Sequence, residues 1–176
     1  MRLVEVVDYQ PSWQDVYKQE AIKLEQVFQE NMIGIHHIGS TSVPGLAAKP
    51  IIDLLIVLKR IEDADKQTEA MEKLGYEVRG ENGIAGRRYF QKGGDARTHH
   101  VHIFSEGHTA IKEHLVFRDY LQQHPDAMQA YGQLKKKLAQ AYVTDVAAYI
   151  NGKDDWINVT KRRAMEWAFA EEISYE

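Results

Sequence analysis

Apolar residues in this chain follow two periods, and the switches between them predict its elements. Trp13, Val16, Tyr17, Ala21, Leu24, Val27 and Phe28 recur at helical spacing behind Pro11 and Ser12. That predicts a helix with one apolar stripe, Ser12 as N-cap and Asp15 three residues on. Leu3 to Val7 and Ile33 to Ile38 read as strands, and the second runs into the turn Gly39-Ser40-Thr41-Ser42. Ile61, Ala64, Thr68, Met71 and Leu74 predict an amphipathic helix ended by Gly75 at its C′ position. Tyr76 to Val78 and Arg88 to Gln91 then predict neighbouring strands around the glycine-containing segment 80–86, with Gly93-Gly94-Asp95 as a turn.

His99 to Phe104 is the last strand, and alternation sets His100, His102 and Phe104 apart from His99, Val101 and Ile103. From Gly107 the pattern is helical. One helix carries Ile111, His114, Leu115, Arg118 and Leu121 and stops at His124-Pro125. The next has the stripe Met128, Tyr131, Leu134, Leu138 and Tyr142, with Lys135, Lys136 and Lys137 on a solvated outer side. Thr144 caps a final long helix that Gly152 could interrupt. This order predicts an α+β fold of α/β-like character, a mixed sheet packed with helices and followed by C-terminal helices.

The stretch from His37 to Leu58, HIGSTSVPGLAAKPIIDLLIVL, concentrates the chemistry. Ile51 to Leu58 is apolar and β-branched except for Asp53, so it reads as a strand covered on both faces. Asp53 shares a face with Ile51, Leu55 and Val57 and needs a partner there. Two readings stay open: a metal ligand or general base, or a buried salt bridge, for instance to Lys49. Gly39 to Ser42 offers small residues and three hydroxyls, either as a phosphate cradle or as a polar turn that caps a short helix.

Composition narrows the class. With 176 residues, 44% hydrophobic and 27% charged, and a net charge of -4, the chain reads as one globular domain over 1–176. The acidic balance argues against broad nucleic-acid binding. There is no cysteine, which excludes disulfides and thiolate metal sites. Acidic residues near the start, where a signal peptide would be apolar, and apolar runs too short to span a bilayer point to a cytoplasmic protein with no membrane partner. The sequence does not specify an oligomeric state.

His100 and His102 leave their strand on the same side, a geometry for two imidazoles on one metal or phosphate, or for hydrogen bonding at a sheet surface. Arg88, Lys92 and Arg97 would neutralise phosphate oxygens or serve as surface charges. His114 reads as a core histidine, whereas Arg118 and Lys153 on apolar helix faces read as facing a cleft. If the cations gather, the cleft is electropositive in a net acidic chain.

The blocks His37–Leu58, RRYFQKGGDARTHHVHIF (Arg87–Phe104) and HLVFRDYLQQHP (His114–Pro125) resemble the GrpB family, which is placed with the nucleotidyltransferase superfamily. The resemblance runs from about Val7 to about Ala170. It implies a mixed sheet with helices, a Gly-Ser turn that holds a nucleotide triphosphate, and a strand with two carboxylates for divalent metal. Gly39 and Ser40 match the turn and Asp53 matches one carboxylate, whereas Leu55 stands where the second would be. Asp53, His100 and His102 would then form the metal site, for Mg, Mn or Zn.

The expected function is binding of a nucleotide or another phosphorylated small molecule by Gly39, Ser40, Thr41, Ser42, Lys49, Arg88, Lys92, Arg97, Arg118 and Lys153. Metal-dependent nucleotidyl transfer with catalytic Asp53 is the reaction the resemblance implies. Two alternatives remain: a non-catalytic sensor or folding-accessory domain, since family members resemble a domain fused to dephospho-CoA kinase, and a metal-dependent phosphoesterase.

Overall fold

The computed structural model describes residues 2–175. Its five strands are β1 (Met32–Ile38), β2 (Ile52–Leu58), β3 (Tyr76–Val78), β4 (Arg88–Lys92) and β5 (His99–Ser105). They form one sheet in the order β1-β2-β5-β4-β3, in which only the β2–β5 pair is parallel. The helices are α1 (Ser12–Phe28), α2 (Glu62–Asp65), α3 (Thr68–Lys73), α4 (Thr109–Gln123), α5 (Pro125–Ala141) and α6 (Val146–Ala170). The fold is α+β, as the periodicity predicts.

Helices cover both faces. On one, Trp13, Leu24 and Phe28 of α1, Ala64 of α2 and Met71 of α3 pack on Ile52, Leu54, Ile56, Phe90, Val101 and Ile103. On the other, Ala110 and Leu115 of α4 pack on Ile38, Leu55 and Phe104, with α5 and α6 layered beyond. Leu54, Leu55, Ile56 and Leu58 are fully buried, and each side chain removed from water stabilises by about 1.5–3 kcal/mol. Two-sided cover explains why β2 reads as a continuous apolar run.

Alternation then assigns every polar residue of the middle strands to a face. Asp53 lies opposite His100 and Tyr89 opposite His102, so these four share the α4–α6 side. Arg88 lies opposite Ile103 and Lys92 opposite His99, which places both on the α1–α3 side.

Several local expectations change. Leu3 to Val7 makes only a single backbone bridge, Val7 to Ala48, instead of a strand. Ser12 is the first residue of α1 and no side chain caps that helix. The predicted helix 61–74 is two short helices, although Gly75 does end it, at φ 92°. Asp145 rather than Thr144 caps α6, its carboxylate accepting from the Ala148 amide. Gly152 does not interrupt α6; a Cβ there would come within 2.6 Å of Leu138, so the glycine lets α5 and α6 approach. Among the described residues no helix is long and apolar enough to cross a membrane.

Candidate functional site

Gly39 turns the chain out of β1 at φ 72° and leads into a single 3₁₀ turn, Ser40–Ser42. A Cβ on Gly39 would stand 2.6 Å from Oδ2 of Asp53, so glycine is required both by its dihedral and by the carboxylate beside it. Not all three hydroxyls face outward. Ser42 donates back to the Gly39 carbonyl, while Thr41 donates to the Ile51 carbonyl at 3.4 Å and meets Nε2 of His37 at 2.9 Å. Ser40 and Thr41 line the cleft that opens here, whereas Ser42 is buried outside its lining.

That cleft has a volume of about 340 Å³ and lies between the β2–β5 end of the sheet, the N-terminal segment and helices α5 and α6. Five cationic side chains line it: Arg2, Lys49, Arg97, Lys135 and Lys153. Asp53 is the only carboxylate among its lining residues. Lys135 is 2% exposed, and its ammonium nitrogen has no hydrogen-bond partner among the described residues. Aromatic faces stand in for counterions: Lys49 and Lys153 lie 4.3 and 4.6 Å from the Tyr149 ring centroid, and Lys135 lies 4.4 Å from that of Tyr131.

Burial and mutual repulsion act on these amines. Burial, then Lys153, with Lys49 also contributing against the attraction of Asp53, lowers Lys135 to about 6. Burial, then Lys153 and Arg2, lowers Lys49 to about 8, and burial lowers Lys153 against the pull of Asp154 and Asp53. Clustered, desolvated cations with a single carboxylate among them make a site at which an anion would relieve the repulsion.

Asp53 does meet both histidines. Its Oδ1 is 3.3 Å from Nδ1 of His100 and 3.2 Å from Nε2 of His102, and its side chain is 24% exposed. Burial opposes its charge, but the hydrogen bonds from His100 and His102 outweigh it and hold the carboxyl well below the usual range. Lys49 does not seal Asp53 in a salt bridge; it sits on Tyr149 instead.

The trio does not suit a divalent cation. Arg87 points Nη1 at Nδ1 of His102 from 3.4 Å, and because a guanidinium only donates, this contact makes Nδ1 the acceptor and leaves Nε2 to donate to Asp53. A nitrogen that donates has no lone pair for a metal. The second strand position holds Leu55, which is fully buried. Among the described residues no group of three His, Cys, Asp or Glu is arranged to hold a metal ion. Asp53, His100 and His102 are thus arranged as hydrogen-bond partners of one another, and no metal site is formed among the described residues.

Three predicted cations lie elsewhere. Arg88 donates through Nε and Nη2 to Asp65 at 2.7 and 3.1 Å, Lys92 donates to Glu20 at 2.8 Å, and Arg118 donates to Asp119 at 2.7 Å and to the His37 carbonyl at 3.2 Å. Each is satisfied by the protein itself. His114 packs 5.5 Å from the His102 ring, and burial lowers it to about 4, a neutral core histidine. Arg2 and Lys135 take the places in the lining. Lys135 lies four residues after Tyr131 and three before Leu138, within the apolar stripe of α5, so its inward direction was present in the spacing; Arg2 left no such signal.

Comparison with known proteins agrees on kinship. The chain is 49% identical over 166 residues to the UPF0157 protein YqkA of Bacillus subtilis, which covers 94% of this chain and 48% of that protein. The chain thus spans about half the length of that relative. The crystal structure of conserved protein GrpB from Enterococcus faecalis superposes with a TM-score of 0.91 at 44% identity, covering 94% of this chain and 99% of that one. A dephospho-CoA kinase of Mycolicibacterium paratuberculosis is 26% identical over 190 residues, with 94% of this chain and 47% of that protein covered. The profile described as GrpB protein matches residues 3–163, and with it the chain belongs to the GrpB family.

Proposed function

We propose that the cleft binds a phosphorylated small molecule, a nucleotide foremost, through Lys49, Arg97, Lys135, Lys153 and Arg2, with Ser40 and Thr41 at its wall. The observation that carries this reading is Lys135, an amine inside the fold with no hydrogen-bond partner among the described residues. Burial without a partner disfavours the charged amine and lowers it to about 6, and a bound anion would favour its protonation and pair it.

The donor set supports binding over transfer. Two-metal phosphoryl chemistry needs carboxylates that hold the ions, and here Leu55 takes one position while Asp53 is committed to two imidazoles. The sensor or accessory reading gains from this, and the phosphoesterase reading loses the metal it required.

Thermal-shift screening of nucleotides, each with and without Mg, Mn and Zn, tests the proposal. A nucleotide at about one hundred times its Kd should stabilise by about 2.7 kcal/mol. For a chain of this length that raises Tm by about 5–10 °C. At the same ligand concentration the shift should fall to about half or less in Lys135→Met, as a tenfold loss of affinity requires. No shift with any phosphorylated compound, with or without metal, would end the reading.

A further inference from the structure

The cleft also specifies what kind of phosphate it would take, an inference that rests on the anion reading above. With every amine protonated, as a bound anion would favour, five cationic side chains face one carboxylate, a formal surplus of four positive charges in a chain whose net charge is -4. Among the described residues none of Lys49, Lys135 and Lys153 has a carboxylate within ion-pair distance. Arg97 spends Nε on the Gly94 carbonyl, which satisfies a donor without neutralising the charge.

A single phosphate, with at most two charges at neutral pH, would leave half of that surplus standing. A divalent cation would add to it, and the carboxylate oxygen nearest the histidines is already engaged by both. At about 340 Å³ the cleft is at the small end of ligand sites, which run from about 300 to 1,000 Å³, so it would enclose the phosphate chain of a nucleotide and leave the nucleoside at its mouth.

We infer that the group recognised here is an oligophosphate of about four negative charges, a di- or triphosphate chain held directly by lysine and arginine and not through a bridging divalent cation. The lysines occupy the role that metal ions have at phosphate chains elsewhere. The chain is the shared chemistry of a nucleoside triphosphate and of inorganic oligophosphate.

Calorimetric titration of the intact protein with inorganic tripolyphosphate in EDTA tests this. Tripolyphosphate should bind at least about tenfold more tightly than orthophosphate, and excess Mg should weaken the binding by drawing charge from the ligand. Lys135→Met and Lys153→Gln should each weaken it about tenfold or more, with circular dichroism melts confirming that both fold.

ATP binding as tightly as tripolyphosphate would identify the chain alone as the ligand. ATP binding tighter would add a contribution from the base, with the same oligophosphate contact. Binding that appears only with Mg or Mn, or equal affinity for orthophosphate and tripolyphosphate, would overturn the inference and leave the phosphate reading intact. Binding of no phosphorylated compound under any condition would overturn both.

Discussion

The two faces of the sheet each bury charge, and they treat it in opposite ways. Beneath α1, the Glu20 carboxylate is 3% exposed, and its Oε1 accepts from Tyr76 Oη and Lys92 Nζ, both at 2.8 Å, while Oε2 accepts from Lys23 at 3.4 Å. Burial pushes Glu20 up, but the hydrogen bonds from Lys92 and Tyr76 bring it below its ordinary value. Beneath α5, Lys135 is equally buried and has neither carboxylate nor hydrogen bond. A closed network is part of the fold, whereas an open one of like charges stands ready for something outside it.

That contrast predicts substitutions of opposite sign. Lys92→Met should be the more damaging, because it strands the buried Glu20 carboxylate; we expect a loss of about 3 kcal/mol or more in chemical denaturation. Glu20→Gln in the same background should recover part of it, since the charge is then gone. If Lys92→Met were neutral, the two faces would not differ in kind and the argument from unsatisfied charge would lose its reference.

Lys135→Met should raise the stability of the ligand-free protein, by about 1–4 kcal/mol, by replacing a buried amine, whose ionisation burial disfavours, with an isosteric apolar chain. The pH dependence gives the sign independently. Lys135 falls from 10.5 unfolded to about 6 folded, so between those values the unfolded chain holds a proton the folded chain lacks. Stability should therefore rise with pH across that window, and one such group contributes a slope of at most about 1.4 kcal/mol per pH unit. Lys49, lowered to about 8, adds the same sign only above that pH. The difference between wild type and Lys135→Met from pH 6 to 8 isolates Lys135, and an unchanged slope would mean that the amine is solvated or paired.

The same contrast explains what the sequence made legible. The order of the five strands followed from periodicity because β2 is covered on both faces and β5 alternates, whereas Leu3 to Val7 read as a strand and makes only an isolated bridge. The meeting of Asp53 with His100 and His102 followed from alternation together with a parallel β2–β5 pair. Arg88 and Lys92 were assigned to the cleft on proximity in sequence, although they sit at odd spacing from Tyr89, which faces His102. Their register against β5 turns them to the other side. Arg118 went astray differently, since its partner is the adjacent Asp119, and a helix face alone does not show which polar group a long side chain will choose. Arg2 comes from an irregular segment held by the Val4 amide on the Val143 carbonyl, a long-range contact with no local pattern to reveal it.

The finest division lies within the run Lys135-Lys136-Lys137, where one residue along α5 turns a side chain by about 100°. Lys135 points into the cleft, while Lys136 is exposed and paired with Asp8, which is itself exposed. Exposed pairs of this kind are worth about 0–1 kcal/mol because solvent screens them and the side chains lose freedom. Lys136→Ala should thus change stability by no more than about 0.5 kcal/mol, and it should leave tripolyphosphate affinity within about twofold in 0.15 M salt, where charges beyond about 8 Å are screened. Both variants remove a lysine amine from the same helix turn, one inside the cleft and one outside it. If Lys136→Ala weakened binding as much as Lys135→Met, the attraction would come from the net charge of the helix and not from the amine inside the cleft. A clear separation between the two would tie the affinity to the lysine inside the cleft.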